Sequence, residues 1–160
     1  MNIRKATTDD LDIVANIEST CFPLAEAAPR EAFKGRLAHY ADHFLIIFDG
    51  DTPIGFIDGF ITDDEILTDE MFADASMHNP DGAWQMIFGL NTMPAYRNRG
   101  VGGQLIEAFI KLAKEENRKG VILTCKEEKI HYYAKFGFVN EGESESDHGG
   151  AKWYQMRVEF

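Results

Sequence analysis

Arg97-Asn98-Arg99-Gly100-Val101-Gly102-Gly103 lies between an apolar run, Met86 to Met93, and an amphipathic segment, Gln104 to Asn117. This order predicts a strand, a basic glycine-rich turn and a helix start, which leaves several backbone N–H groups unpaired and pointing one way. Glycines at 100, 102 and 103 carry no β-carbon to hold a ligand off, and the helix dipole adds about half a positive charge at the same end. A phosphate ester fits such a cradle. Neither common phosphate signature is met: no Gly-Lys-Ser or Gly-Lys-Thr occurs, and the sixth position of a G-x-G-x-x-G counted from Gly100 is Leu105.

The chain has 160 residues, which suits one domain over 1–160, and its 44% apolar content agrees with a globular protein. No apolar run is long enough for a membrane span, and Met1-Asn2-Ile3-Arg4-Lys5 lacks the hydrophobic stretch of a signal peptide, so a cytoplasmic protein is expected. Cys21 and Cys125 form no C-x-x-C, which points to neither a disulfide framework nor a zinc knuckle. A net charge of −11 argues against nucleic acid as a partner and suits a cationic acceptor such as an amine. Arg97 and Arg99 are the local exception, placed at the phosphate loop.

Outward from the loop, Ala83 to Met93 reads as one central strand stopped by Pro94. The following helix, Gln104 to Asn117, buries Leu105, Ile106, Phe109, Leu112 and Ala113. Toward the N-terminus, Ile3 to Thr7 reads as a strand. Thr8, Asp9 and Asp10 offer N-cap oxygens to a helix ending near Cys21, with Asp9, Asp10 and Asp12 read as dipole partners. A connector bounded by Pro23 and Pro29 leads into a helix from about Arg30 to Tyr40, with Phe33 and Leu37 on one face. His43 to Asp49 and Ile54 to Ile61 read as strands of a hairpin turning at Asp49-Gly50-Asp51. The acidic 62–80 segment holds a short helix at Thr68 to Phe72 and reads as a lid or a surface excursion. Val121 to Thr124 reads as a buried strand and Ile130 to Lys135 as a short helix. Val139 to Glu141 and Trp153 to Val158 read as paired strands around a polar loop, Glu143 to Gly150. A mixed α/β domain follows.

The R-x-x-G-x-G pattern on a strand-to-helix turn resembles the pyrophosphate motif of the GNAT superfamily of N-acetyltransferases, whose cofactor is acetyl-CoA. Downstream, Tyr132-Tyr133-Ala134-Lys135-Phe136-Gly137-Phe138 is similar to that family's F-Y-x-K-x-G-F segment. The resemblance implies a central, strongly twisted mixed sheet flanked by helices (α/β, α+β mixed sheet). It also implies acetyl transfer to a primary amine, a small one if the 62–80 segment covers the acceptor site, and no metal. A protein or peptide acceptor and a non-catalytic CoA-binding sensor are the alternatives, and a homodimer is common among similar proteins. Carried over by position, Arg97, Asn98, Arg99, Gly100, Val101, Gly102 and Gly103 hold the pyrophosphate. Free backbone groups of Leu90, Asn91 and Thr92 meet the thioester and pantetheine arm, and Thr124 and Tyr133 complete the cofactor-binding residues.

Tyr133 falls on the family's tyrosine position, and a phenol of ordinary pKa about 10 is matched to a departing thiolate. Its other reading is an aromatic packed beneath the cofactor. Cys21-Phe22-Pro23, Met71 to His78, Leu123-Thr124-Cys125 and Gly149 to Trp153 are most similar to the arylalkylamine N-acetyltransferase branch. Where vertebrate members carry a histidine pair, this chain has Met86 and Phe88, so that proton relay is absent. Glu26 matches a glutamate used as base in insect-type members and is expected to act through water, its plainer reading being a solvated carboxylate. His131, His78 and His148 are weaker alternatives. His39 and His43 lack the His-Glu-x-x-His spacing of a zinc site, and Cys125 reads as a buried strand cysteine.

Overall fold

The computed structural model describes residues 1–146 and 148–160, so Asp147, in the loop expected over 143–150, lies outside the described residues. Four strands, β1 (Asn2–Lys5), β2 (Phe44–Asp49), β3 (Thr52–Asp58) and β6 (Gly89–Thr92), form an antiparallel sheet in the order β1-β2-β3-β6. A second sheet runs β4 (Ile61–Thr62), β5 (Trp84–Ile87), β7 (Gly120–Cys125), β9 (Tyr154–Glu159), β8 (Val139–Glu143). Its β5–β7 pair is parallel, and its other pairs are antiparallel. The helices are α1 (Leu11–Cys21), α2 (Arg30–Tyr40), α3 (Asp69–Ala73), α4 (Val101–Glu115) and α5 (Ile130–Ala134).

Alternation along the strands divides the core in two. Phe44, Ile46, Phe56, Met86 and Ile122 face α1 and α2, while Leu45, Ile47, Ile57, Ile87, Val121 and Leu123 face α4 and α5. On the first side Phe33 of α2 meets Phe44 and Phe56 edge-on at 6.3 and 5.7 Å between centroids, and all three rings are buried. Burying one such side chain stabilises by about 1.5–3 kcal/mol, so this trio fixes α2 against the sheet. On the other side the expected stripe of α4 is buried at Leu105, Ile106, Phe109 and Ala113, with Val101 added and Leu112 only partly covered.

Three readings are corrected. The single strand expected over Ala83 to Met93 is two, β5 and β6, broken at Phe88 and assigned to different sheets. The strand expected over Ile54 to Ile61 also divides, because Gly59 passes so close to β5 that a β-carbon there would stand 1.7 Å from the Met86 carbonyl oxygen. Thr8 to Asp10 form a 3-10 turn capped by Thr7 that leads into α1, and Asp10, the N-cap residue of α1, directs its side chain back to Thr7 instead of into the helix. The Thr7 hydroxyl oxygen accepts from the Asp9 amide, and the Asp10 carboxylate accepts from the Thr7 amide at 2.8 Å and from both ends of the Arg4 guanidinium. Arg4 thereby holds the Asp10 carboxyl below its ordinary range.

Candidate functional site

The break at Phe88 opens the site. Both Phe88 and Gly89 face Asp58, the first through an N–H bond of 2.8 Å to the Asp58 carbonyl and the second as its register partner, so two residues oppose one in a bulge. Before it, β5 pairs with β7 as far as Ile87 opposite Leu123. Beyond it, β6 pairs only with β3, and Thr124 and Cys125 pair only with β9. The two strands therefore part between Leu90–Thr92 and Thr124–Cys125. Met93 donates to the Ile54 carbonyl at 2.8 Å. Alternation then turns the N–H groups of Leu90 and Thr92 away from β3, into that gap, while Asn91 points its amide at β3 and its side chain at α1.

The basic loop closes one end of the gap. Asn98 and Gly100 are left-handed, with φ of 63° and 78°, and Gly100 begins α4 with no side-chain cap, so the first amides of α4 are left to solvent or a ligand. Arg97 Nε donates to the Thr92 carbonyl at 3.1 Å, and the Arg99 guanidinium lies 5.3 Å from the Tyr96 ring centre. Val101 buries its side chain in the core, leaving only its backbone for a ligand. Gly102 and Gly103 also have a role within the fold. A β-carbon on them would stand 3.0 Å from the Tyr132 hydroxyl and 3.3 Å from the Phe136 ring, so bare backbone lets the α5 segment close on α4.

Tyr133, in α5, lies close enough to Cys125 at the end of β7 to feel its charge. Its half-buried ring meets Tyr132 at 5.2 Å and Phe138 at 6.1 Å between centroids. Burial, with Cys125 and Tyr132 adding to it, pushes the phenol well above its ordinary pKa, so it stays protonated. Burial likewise lifts the Cys125 thiol to about 11, which removes it as a nucleophile at neutral pH.

The α1–α2 side contains residues that the sequence did not single out. Glu18 of α1 is 8% exposed. Its carboxylate accepts from Asn91 Nδ2 at 2.7 Å and from the Ala28 amide at 2.8 Å, tying the connector to β6. Its signal was a carboxylate on the face of Val14 and Ile17. Glu18→Ala would strand two donors in or beside the core, and a loss of about 1–3 kcal/mol is expected in chemical denaturation. Glu26, by contrast, is exposed in the turn after α1. Arg36 and Tyr40 of α2 converge on Asp58, at 3.3 and 2.8 Å to Oδ2. The 62–80 segment is tied down beside them. Arg36 donates to the Phe72 carbonyl, the Phe72 ring meets Phe88 at 4.9 Å, and Gln155 accepts from the Leu67 amide.

Two of the histidines, His43 and His78, are built into the fold, whereas His39, His131 and His148 are exposed. His43 is held between Asp42 and Glu116, at 3.0 and 2.8 Å. His78 accepts from the Ile61 amide and is lowered to about 4 by burial and by His43, so it is neutral. His148 lends its backbone carbonyl to Trp153 Nε1. Among the described residues no group of three or more His, Cys, Asp or Glu is placed to hold a metal, and no helix is long and apolar enough to cross a membrane.

Comparison with known proteins agrees with this architecture. The chain is 30% identical over 146 residues to a probable hydrolase, YhcX, of Bacillus subtilis, which covers 84% of the chain but only 28% of that protein's length. The loading GNATL domain of CurA from Lyngbya majuscula superposes with a TM-score of 0.85 at 13% identity, covering 99% of this chain and 96% of that one. The PaiA N-acetyltransferase of Thermoplasma acidophilum, solved with coenzyme A, gives 0.68 at 18% identity, covering 99% and 98%. The model of the acetyltransferase (GNAT) family matches residues 11–138, from the start of α1 through the aromatic segment that faces the parted strands, and the chain belongs to that family.

Proposed function

We propose that this protein transfers an acetyl group from acetyl-CoA to a primary amine, a small one, by direct attack on the thioester. The observation that carries the reading is the gap between β6 and β7, with two backbone N–H groups turned into it, an uncapped helix start at one end and Tyr133 beside it. The pyrophosphate would lie on the 97–103 loop and the pantetheine arm along Leu90 to Thr92 and Thr124. This agrees with a neighbour of the same fold having been solved with coenzyme A.

In the reaction, the neutral amine attacks the carbonyl carbon, the C–N bond forms, the C–S bond breaks, and Tyr133 protonates the departing sulfur. An N–H of the parted edge would polarise the thioester oxygen. The segment 62–80, anchored through Phe72 and Leu67, carries Asp64 and Glu70 on an open cleft, and such acidic groups favour a cationic amine if the segment covers the acceptor. Glu26, on the connector, is the outer proton acceptor through water. With Met86 and Phe88 in place of the histidine pair, the class of small amine is left to the assay below, and a cytoplasmic homodimer is the expected form.

The test is release of free CoA from acetyl-CoA across arylalkylamines, polyamines, aminoglycosides and short peptides, with Glu26→Gln beside wild type. Turnover of one small-amine class is expected. Turnover of peptides alone would move the assignment to a protein acceptor, and tight acetyl-CoA binding without turnover would make the protein a CoA sensor.

A further inference from the structure

The last turn of α1 docks on β6 at two successive residues. Glu18 Oε1 accepts from Asn91 Nδ2 at 2.7 Å. One turn further on, Cys21 Sγ donates at 3.4 Å to the Thr92 carbonyl, which also accepts from Arg97 Nε. On the other face of the strand, Leu90 and Thr92 turn their side chains toward the first turn of α4 at Gly102. These braces matter because β6 ends its sheet and bonds only to β3, leaving no second ladder to stop the strand from rolling about its axis. Asn91 and Glu18 are 3% and 8% exposed, so water does not compete for their bond. The second Glu18 oxygen, Oε2, accepts from the Ala28 amide at 2.8 Å. One carboxylate therefore holds both the strand whose Leu90 and Thr92 N–H groups face the gap and the end of the connector between α1 and α2.

Resting on the acetyltransferase reading above, we propose that Glu18 is a positioning residue for the transfer step. Through Asn91 it fixes the roll of β6, and with it the aim of the Leu90 and Thr92 N–H groups at the thioester. Through Ala28 it holds the connector, which carries Glu26, against the same edge. Glu18 itself touches neither acetyl-CoA nor the amine. Its leverage is geometric: a hydrogen bond weakens steeply as its angle closes, and a misplacement of about 1 Å made far from the reacting atoms can cost about a hundredfold in rate. The shared carboxylate also couples the two elements, so a β6 steadied by acetyl-CoA should steady the connector in turn.

Exchanging the two side chains separates positioning from packing. In Glu18→Gln one carbonyl oxygen is left to serve two donors, and Asn91→Asp sets carboxylate against carboxylate. The double variant, Glu18→Gln with Asn91→Asp, keeps one amide and one carboxylate in the pair. Its amide nitrogen donates to position 91 and its amide oxygen accepts from Ala28, which restores both bonds and the net charge.

Release of free CoA with the best amine of the panel above, acetyl-CoA affinity by calorimetry and melting temperature would be measured for all four proteins. Each single variant is expected to lower kcat at saturating acetyl-CoA by about ten- to a hundredfold, and the double variant to regain most of that loss. An unchanged kcat per folded molecule in both single variants would overturn the proposal, because Glu18 would then only hold the fold together. So would a double variant that regains its melting temperature without its rate. Should the single variants not fold, hydrogen exchange in wild type decides: acetyl-CoA is expected to slow exchange of the Ala28 amide, and an unmoved Ala28 rate overturns the proposal. Wild type that binds no acetyl-CoA, or acetylates no amine, removes the acetyltransferase reading and this proposal with it.

Discussion

An arginine at position 102 is expected to abolish acetyl-CoA binding. Gly102 lies in the first turn of α4, and its β-carbon position is 3.0 Å from the Tyr132 hydroxyl, 3.9 Å from Thr92 Oγ1 and 4.0 Å from Leu90 Cδ2. A long side chain there has to leave toward the gap, where the pyrophosphate and the pantetheine arm would lie, and it would also force the Tyr132 ring off α4. Calorimetry with acetyl-CoA should show no heat for Gly102→Arg. Gly102→Ala is the companion variant, because only the far end of a tyrosine must shift and alanine in a helix gains about 1 kcal/mol over glycine. It should fold with a melting temperature near wild type and bind more weakly. Binding by Gly102→Arg within tenfold of wild type would remove the loop from the cofactor site.

Much of this loop was legible because its information is local. A strand ending at Pro94, basic residues and three glycines before an apolar stripe predict a strand, a turn and a helix start without reference to the rest of the chain. The strand Ala83 to Met93 shows the limit. Its composition is β-rich throughout, yet Phe88 is where the chain leaves one sheet for another, and a bulge depends on which strand lies opposite. Nothing within the eleven residues states that Asp58 will face both Phe88 and Gly89. The glycines of the loop were also only half read: 102 and 103 are bare for the approach of Tyr132 and Phe136 as well as for any anion, and that partner lies far downstream.

The α1–α2 side was hidden for a related reason. Glu18, Arg36 and Asp58 occupy positions that periodicity assigns to the core, on the faces of Val14, Phe33 and Phe56. A charged residue on an apolar stripe is a signal that something distant satisfies it. The partners, Asn91 for Glu18 and Tyr40 with Arg36 for Asp58, come together only when α1 and α2 close on the sheet. Glu26, which a sequence match singled out, is exposed on the connector, whereas the connector itself is held to β6 through Glu18. Local motifs thus marked the loop and the helix start, and tertiary pairing decides the α1–α2 side.

Tyr133→Phe is expected to lower kcat by about 10²–10⁴-fold while leaving acetyl-CoA affinity and the melting temperature close to wild type. The Tyr133 hydroxyl has no hydrogen-bond partner among the described residues, and the ring's packing against Tyr132 and Phe138 does not involve the oxygen. Removing that oxygen therefore takes away no stabilising contact, and a loss of rate would have to come from the chemistry. Burial keeps the phenol protonated above its ordinary range, so wild type should show no descending limb due to Tyr133 between neutrality and about pH 10. The proton is then held until a thiolate develops beside it, at which point a phenol can give it up. An unchanged kcat in Tyr133→Phe would mean that solvent protonates the sulfur, and Tyr133 would be left as an aromatic wall of the cofactor cleft.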